Sequence, residues 1–196
     1  EAKGPAAWSS GEIPFYVTSN PFVANCYAQV VLSFLRDALR TPGFLDASAP
    51  IYIVEMAAGH GLLTFLFLRR FLPMLRSSSV RGLDVRYVMT DIAESNLTAW
   101  VSSPALGPYF EEGVLDCALF DAENHEEIVL RRSGVRLSVG QVKNPLIVFA
   151  NYILDSLIQD AFRIREGVLE EALVTLRHPS ENPPLSDPNC MVDITA

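Results

Sequence analysis

Apolar residues recur at Phe22, Val23, Cys26, Tyr27, Val30, Val31, Phe34, Leu35, Ala38 and Leu39, a spacing of three and four that marks one continuous helix face. Asn20 stands where an N-cap belongs, Pro21 fills the first turn, and "TPG" at 41–43 stops the run. The pattern then changes. "IYIVEM" (51–56) is apolar almost throughout, as in a strand buried on both faces. Helical spacing returns from Gly61 to Leu75, "VRYVMT" (85–90) is a second buried strand, and "DIAESNLTAWV" (91–101) is a helix with acidic residues near its start. "GVLDCALF" (113–120) predicts a third strand and "DAENHEEIVLRR" (121–132) an acidic helix start. "VRLSV" (135–139) predicts a short strand and "PLIVFA" (145–150) a strongly apolar one.

Strands alternating with helices predict an α/β fold, a Rossmann-like doubly wound sheet that is mostly parallel. "AFRIREGVLEEALVTL" (161–176) reads differently, as two strands joined around Glu166 and Gly167 in an antiparallel hairpin. Residues 1–14 are rich in Gly, Pro, Ala and Ser and read as a loosely held leader. A single domain is expected over 15–176, with 177–196, rich in Pro, Ser, Asn and Asp, as a linker or truncated tail. The chain opens on Glu1 and is expected to be a piece of a longer protein, its sheet incomplete toward the C-terminus.

Composition narrows the partners. The 196 residues are 49% hydrophobic, enough for a sizeable core in one domain. A formal charge of -8 and a pI near 4.8 argue against a broad phosphate-binding surface, so nucleic acid is not an expected partner. Cys26, Cys117 and Cys190 are odd in number, far apart and without CxxC spacing. They read as reduced thiols, not as a disulfide framework or a zinc site. His125 and His178 have no partner at ligand spacing, so no metal is expected. The longest apolar run is broken by Arg69, Arg70 and Pro73 and is short of the roughly 20 residues of a bilayer span. A cytoplasmic location is the default expectation.

In a doubly wound sheet, ligands lie beyond the carboxyl ends of the strands, so the residues that follow each strand are the chemical candidates. They are Glu55, Ala57, Gly59 and Gly61 after the first strand, Asp91 after the second, Asp121 after the third and Asn151 after "PLIVFA". Gly59 and Gly61 permit a sharp turn and a close approach of backbone to ligand. A carboxylate ending the second strand can accept both hydroxyls of a ribose, and one ending the third can accept the exocyclic amine of adenine. Each aspartate can equally be a helix N-cap, and Glu55 can be a carboxylate that braces the loop. A dinucleotide loop runs GxGxxG, and here the third glycine position is Thr64 or Leu62.

The segment Glu55-Met56-Ala57-Ala58-Gly59-His60-Gly61 resembles the E/D-x-G-x-G-x-G loop of class I S-adenosylmethionine-dependent methyltransferases, with Ala57 at the first glycine. "FANYILDSLIQDAFRI" is similar to the "NExxDALP" segment of the MidA-like family of these enzymes, whose activities include mitochondrial protein-arginine methylation. Asn151, Asp155 and Leu157 match; Tyr152 and Ile158 replace the family's Glu and Pro. Thr18 and Ser19 match the family's "FxTSPE" segment. The resemblance spans about residues 15–176 and implies a class I methyltransferase fold. It also implies S-adenosyl-L-methionine as cofactor, held by Glu55, Ala57, Gly59, Gly61, Asp91, Ile92, Asp121, Ala122 and Asn151. The "NYILDSL" loop is then placed near a methyl acceptor, with a protein side chain as the acceptor the resemblance suggests, and mitochondria become a second expected location.

Within that reading, Asp155 orients or deprotonates the acceptor, or caps a helix, and Tyr152 stacks on the acceptor or packs in the core. Loss of an acidic residue at Tyr152 removes a natural partner for a guanidinium. His60 reads as a loop position facing solvent. Two other function classes remain open: a non-catalytic binding or assembly module that keeps the fold, and a nicotinamide-dependent oxidoreductase.

Overall fold

The computed structural model describes residues 16–171. The leader at 1–14, the outer end of the expected hairpin at 172–176, and the tail with His178 and Cys190 lie outside the described residues. The chain divides into two compact units between Leu157 and Ile158, within the span 15–176.

Helix α1 (Pro21–Arg40) begins as its sequence predicts: Asn20 Oδ1 accepts the Val23 N–H at 3.0 Å, and Pro21 sits where a missing N–H is harmless. Its last turn closes when the Thr41 N–H donates to Asp37 and Ala38, and Gly43 turns left-handed at φ 74. There follow β1 (Ile51–Glu55), α2 (Leu62–Arg76), β2 (Val85–Asp91), α3 (Glu94–Val101), α4 (Gly107–Glu111) and β3 (Leu115–Leu119). Then come β4 (Ile128–Val129), β5 (Arg136–Leu137) and β6 (Ile147–Phe149). β3, β2, β1 and β6 form, in that order, a four-stranded sheet that is parallel throughout. The register pairs Ile53 with Tyr87 on one side and with Ile147 on the other.

The strand alternation sorts two cores. Ile51, Ile53, Tyr87, Met89, Cys117 and Phe149 face α1, α2, α3 and α4, meeting Leu35, Phe67, Phe71, Leu97, Trp100 and Phe110. Full burial of each large apolar side chain contributes about 1.5–3 kcal/mol, and a one-residue slip would turn the whole set away from the helices. Tyr52, Val54, Val88 and Ala118 face the other way, under Ile128, Leu130 and Leu137.

That second face is where structure and expectation part. No helix forms over 121–132. Asp121 instead folds the chain onto itself: Oδ1 accepts the Glu123 N–H at 2.9 Å and Oδ2 accepts the Asn124 side-chain amide at 2.8 Å. This Asx-type turn competes with a helical start, and the β-branched pair Ile128–Val129 then pairs antiparallel with β5. Where a doubly wound sheet would carry a helix, a small β-hairpin closes the core.

In the second unit, β7 (Phe162–Arg165) and β8 (Val168–Glu171) form the expected hairpin about Glu166 (φ 53) and Gly167 (φ 82). Two successive left-handed residues are what a tight two-residue hairpin turn requires. No helix among the described residues is long and apolar enough to cross a membrane.

Candidate functional site

Parallel pairing brings the carboxyl ends of the four strands to one edge, with Glu55 level with Met89 and Phe149, and Asp91 level with Leu119. β1 is the strand at which the order reverses, since β2 lies on one side of it and β6 on the other. The loops leaving β1 and β6 therefore diverge and leave a crevice, the place where open parallel sheets bind ligands. A cavity of about 430 Å³ occupies it, lined by Thr18, Ser19, residues 55–60, Leu63, Asn151, Tyr152, Asp155 and Ser156. That size falls in the roughly 300–1,000 Å³ range of small-molecule sites. The cavity thus brings together Glu55, Ala57, Gly59, Asn151, Tyr152 and Asp155; Gly61, Asp91, Ile92, Asp121 and Ala122 are not on its wall.

Glu55 ends β1 and is 5% exposed. Its Oε2 accepts from the hydroxyls of Thr64 in α2, at 2.5 Å, and Tyr87 in β2, at 2.7 Å. Burial nevertheless dominates and pushes its carboxyl up to about 7, while the two hydroxyls pull it down. The Tyr87 hydroxyl is itself held well above its ordinary value, by burial first and then by the neighbouring carboxylate. Asp155 is the other acid among the described residues of the wall, and none of those residues is Lys or Arg.

Between β1 and α2 the backbone turns left-handed three times, at Ala57 (φ 51), Gly59 (φ 56) and Gly61 (φ 78). Gly61 serves packing: a Cβ there would stand 2.8 Å from the Met89 Cε and 3.4 Å from the Trp100 Cδ1. The Gly59 N–H donates to Asp91 Oδ2 at 3.0 Å, and the Gly59 carbonyl accepts the Trp100 indole N–H at 2.8 Å. Asp91 Oδ2 also accepts from Asn96 Nδ2 at 2.9 Å, while Oδ1 accepts the Ala93 N–H at 2.9 Å. Asp91 is 8% exposed. This carboxylate braces the glycine loop and the approach to α3, whose N-cap position is held by Ala93.

From the β6 side, Asn151 Oδ1 accepts the Tyr27 hydroxyl at 2.7 Å, and its buried Nδ2 has no hydrogen-bond partner among the described residues. Tyr152 is 61% exposed, so it is not a core residue, and its backbone is left-handed at φ 56. Asp155 is exposed in a turn and caps no helix. His60, expected to face solvent, is half-buried on the cavity wall, and burial holds its imidazole below the ordinary value. Asp121 lies at the surface, and its bonds to Asn124 and Glu123 lower its carboxyl. Ile92 is 60% exposed beside the end of β2.

Thr64, Tyr87, Asn96 and Trp100 belong to the site's supports and were not among the expected residues. Their signal was a polar tip inside an otherwise apolar buried run, since such a group must find a partner and the nearest acceptors are the strand-end acids and the loop carbonyls. Among the described residues no cluster of His, Cys, Asp and Glu is arranged to hold a metal ion. Set against known proteins, the chain is matched by no family model and by no curated protein.

Proposed function

We propose that the protein is an S-adenosylmethionine-dependent methyltransferase whose switch-point cavity receives the methionine end of the cofactor, with a protein side chain as the methyl acceptor. The carrying observation is the cavity's pairing of an acceptor with a donor in a wall whose described residues include no Lys or Arg. Glu55 offers a buried carboxylate and Asn151 a buried amide N–H with no partner. A zwitterionic amino-acid end satisfies both, its ammonium on Glu55 and its carboxylate on the Asn151 amide. A wall with two acids also suits a sulfonium better than the pyrophosphate of a nicotinamide dinucleotide, which needs basic groups or open backbone N–H groups. The Gly59 N–H is already given to Asp91. The exposed side chain of Ile92 offers an apolar surface beyond the cavity for the adenine ring.

Held there by Glu55 and Asn151, S-adenosylmethionine would supply the methyl group and leave as the neutral thioether. The chain's part is placement. Asp155 and Tyr152, exposed on the rim, meet the acceptor: the carboxylate orients it and takes its proton, and the ring packs along it.

A second reading, a binding module without transfer, is favoured by Asp91. A carboxylate has about four acceptor sites, and three of this one's are filled by Gly59, Ala93 and Asn96. Only one is left for a ribose diol. Calorimetric titration with S-adenosylmethionine, S-adenosylhomocysteine and NAD tests the proposal. Binding of neither sulfur compound refutes it, and S-adenosylhomocysteine binding without methyl incorporation into cell-extract proteins selects the second reading.

A further inference from the structure

No residue of α3 lines the cavity, yet the cavity's glycine wall is held from α3. The Gly59 carbonyl is taken by the Trp100 indole N–H at 2.8 Å, and the Gly59 N–H by Asp91 Oδ2 at 3.0 Å. Asn96 Nδ2 fixes that same oxygen at 2.9 Å. Asn96 is 3% exposed and Trp100 is 1% exposed, so water does not compete for these bonds. Asn96 turns its amide N–H to Asp91, and its own Oδ1 is buried with no hydrogen-bond partner among the described residues.

We infer that Trp100 and Asp91, with Asn96 behind Asp91, are positioning residues that clamp both polar groups of Gly59 toward α3, so that the loop presents a preformed, hydrogen-bond-satisfied wall to the ligand. The consequence for recognition is specific. A ligand in the cavity packs against the Gly59 Cα without stripping water from its N–H or C=O, and its polar groups are read elsewhere, at Glu55 and Asn151. Preorganisation of this kind raises affinity by removing the cost of ordering the loop on binding. Asp91, at the strand end where a ribose acceptor was expected, serves here as the loop's own internal hydrogen-bond acceptor.

The test uses the full chain and two readouts. Trp100→Phe keeps a buried ring and deletes the indole donor; Asn96→Ala frees Asp91 on one side. Hydrogen exchange is expected to accelerate about tenfold at the Gly59 and His60 amides in either variant, while the amides of β1 and β2 stay as protected as in the wild type. The second readout rests on the methyltransferase reading: affinity for S-adenosylhomocysteine, measured well below the variant's unfolding temperature, is expected to fall about tenfold for Trp100→Phe. A purely structural tryptophan would lower the unfolding temperature and leave both readouts unchanged, and that result overturns the proposal. Should Trp100→Phe fail to fold, the exchange at Gly59 in Asn96→Ala decides. Should the wild type bind no sulfur ligand, the function proposed above falls, and the exchange measurement still judges the clamp.

Discussion

Glu55→Gln gives the sharpest test of the site's electrostatics. The carboxyl is buried and sits at about 7 in the folded protein, against an ordinary glutamate value of 4.5. Between those values the folded chain keeps a proton that the unfolded chain releases, so stability falls as pH rises through this window and levels above it. At about 1.4 kcal/mol per pH unit, the interval comes to about 3 kcal/mol. Residual burial in the unfolded chain makes that an upper value. Glutamine keeps an oxygen for the Thr64 and Tyr87 hydroxyls and cannot ionise. The assay is urea unfolding of both proteins at pH 5, 6, 7 and 8, read as the difference between them, in which every other titrating group cancels. The variant is expected to gain on the wild type steadily from pH 5 to 7, by about 2 kcal/mol, and to level off by pH 8. A difference that does not change with pH would mean that Glu55 titrates normally and is not buried as described.

The same proton gives a binding prediction. A cationic ligand beside Glu55 favours its ionised form, so affinity for S-adenosylhomocysteine rises between pH 6 and pH 8 in wild type, and calorimetry in buffers of different ionisation heat shows proton release; a flat profile places the ammonium elsewhere. Gly61→Ala forces a side chain into a left-handed position at φ 78 and against Met89, and is expected to cost about 1–3 kcal/mol in thermal or urea unfolding. Ala57→Gly removes left-handed strain worth about 1 kcal/mol and adds a comparable unfolded-state entropy, leaving stability within about 0.5 kcal/mol of wild type. A loss larger than about 1 kcal/mol would show that Ala57 is not left-handed in solution.

Periodicity carried most of the strand-helix order because burial on one face leaves a direct trace in residue type. α1 with its Asn20 cap, the buried strands β1 and β2, and the Glu166–Gly167 hairpin turn all appear where the pattern puts them. Residues 121–132 did not follow, because acidic residues suit a helix start and a turn equally, and the side-chain bonds of Asp121 decide between them. The candidate site divided in the same manner. The loops after β1 and β6 are local in sequence and meet at the cavity as their positions imply. Asp91 and Asp121 both stand at strand ends, but whether such a carboxylate faces a ligand or its own surroundings depends on the fold of the following loop, which brings Asn96 to Asp91 and Glu123 and Asn124 to Asp121, and for Asp91 also on the distant Gly59. No pattern in the strand ends alone reports those partners.

Backbone strain supplies an independent argument for the cavity. Three described non-glycine residues have left-handed backbone: Ala57, Tyr152 and Glu166. Glu166 is accounted for by its hairpin turn. The other two leave different strands, β1 and β6, and both line the one cavity. A left-handed conformation costs an L-residue about 1–2 kcal/mol, which glycine would avoid at either position. Tyrosine is the costlier case, since its bulk gains little packing energy at 61% exposure. Strain of this kind persists where the surroundings over-determine it, and it gathers at ligand sites. Two loops each carrying a strained side chain toward a shared space, with a buried acid at about 7 on its wall, are therefore better explained by a ligand held between them than by two unrelated turns.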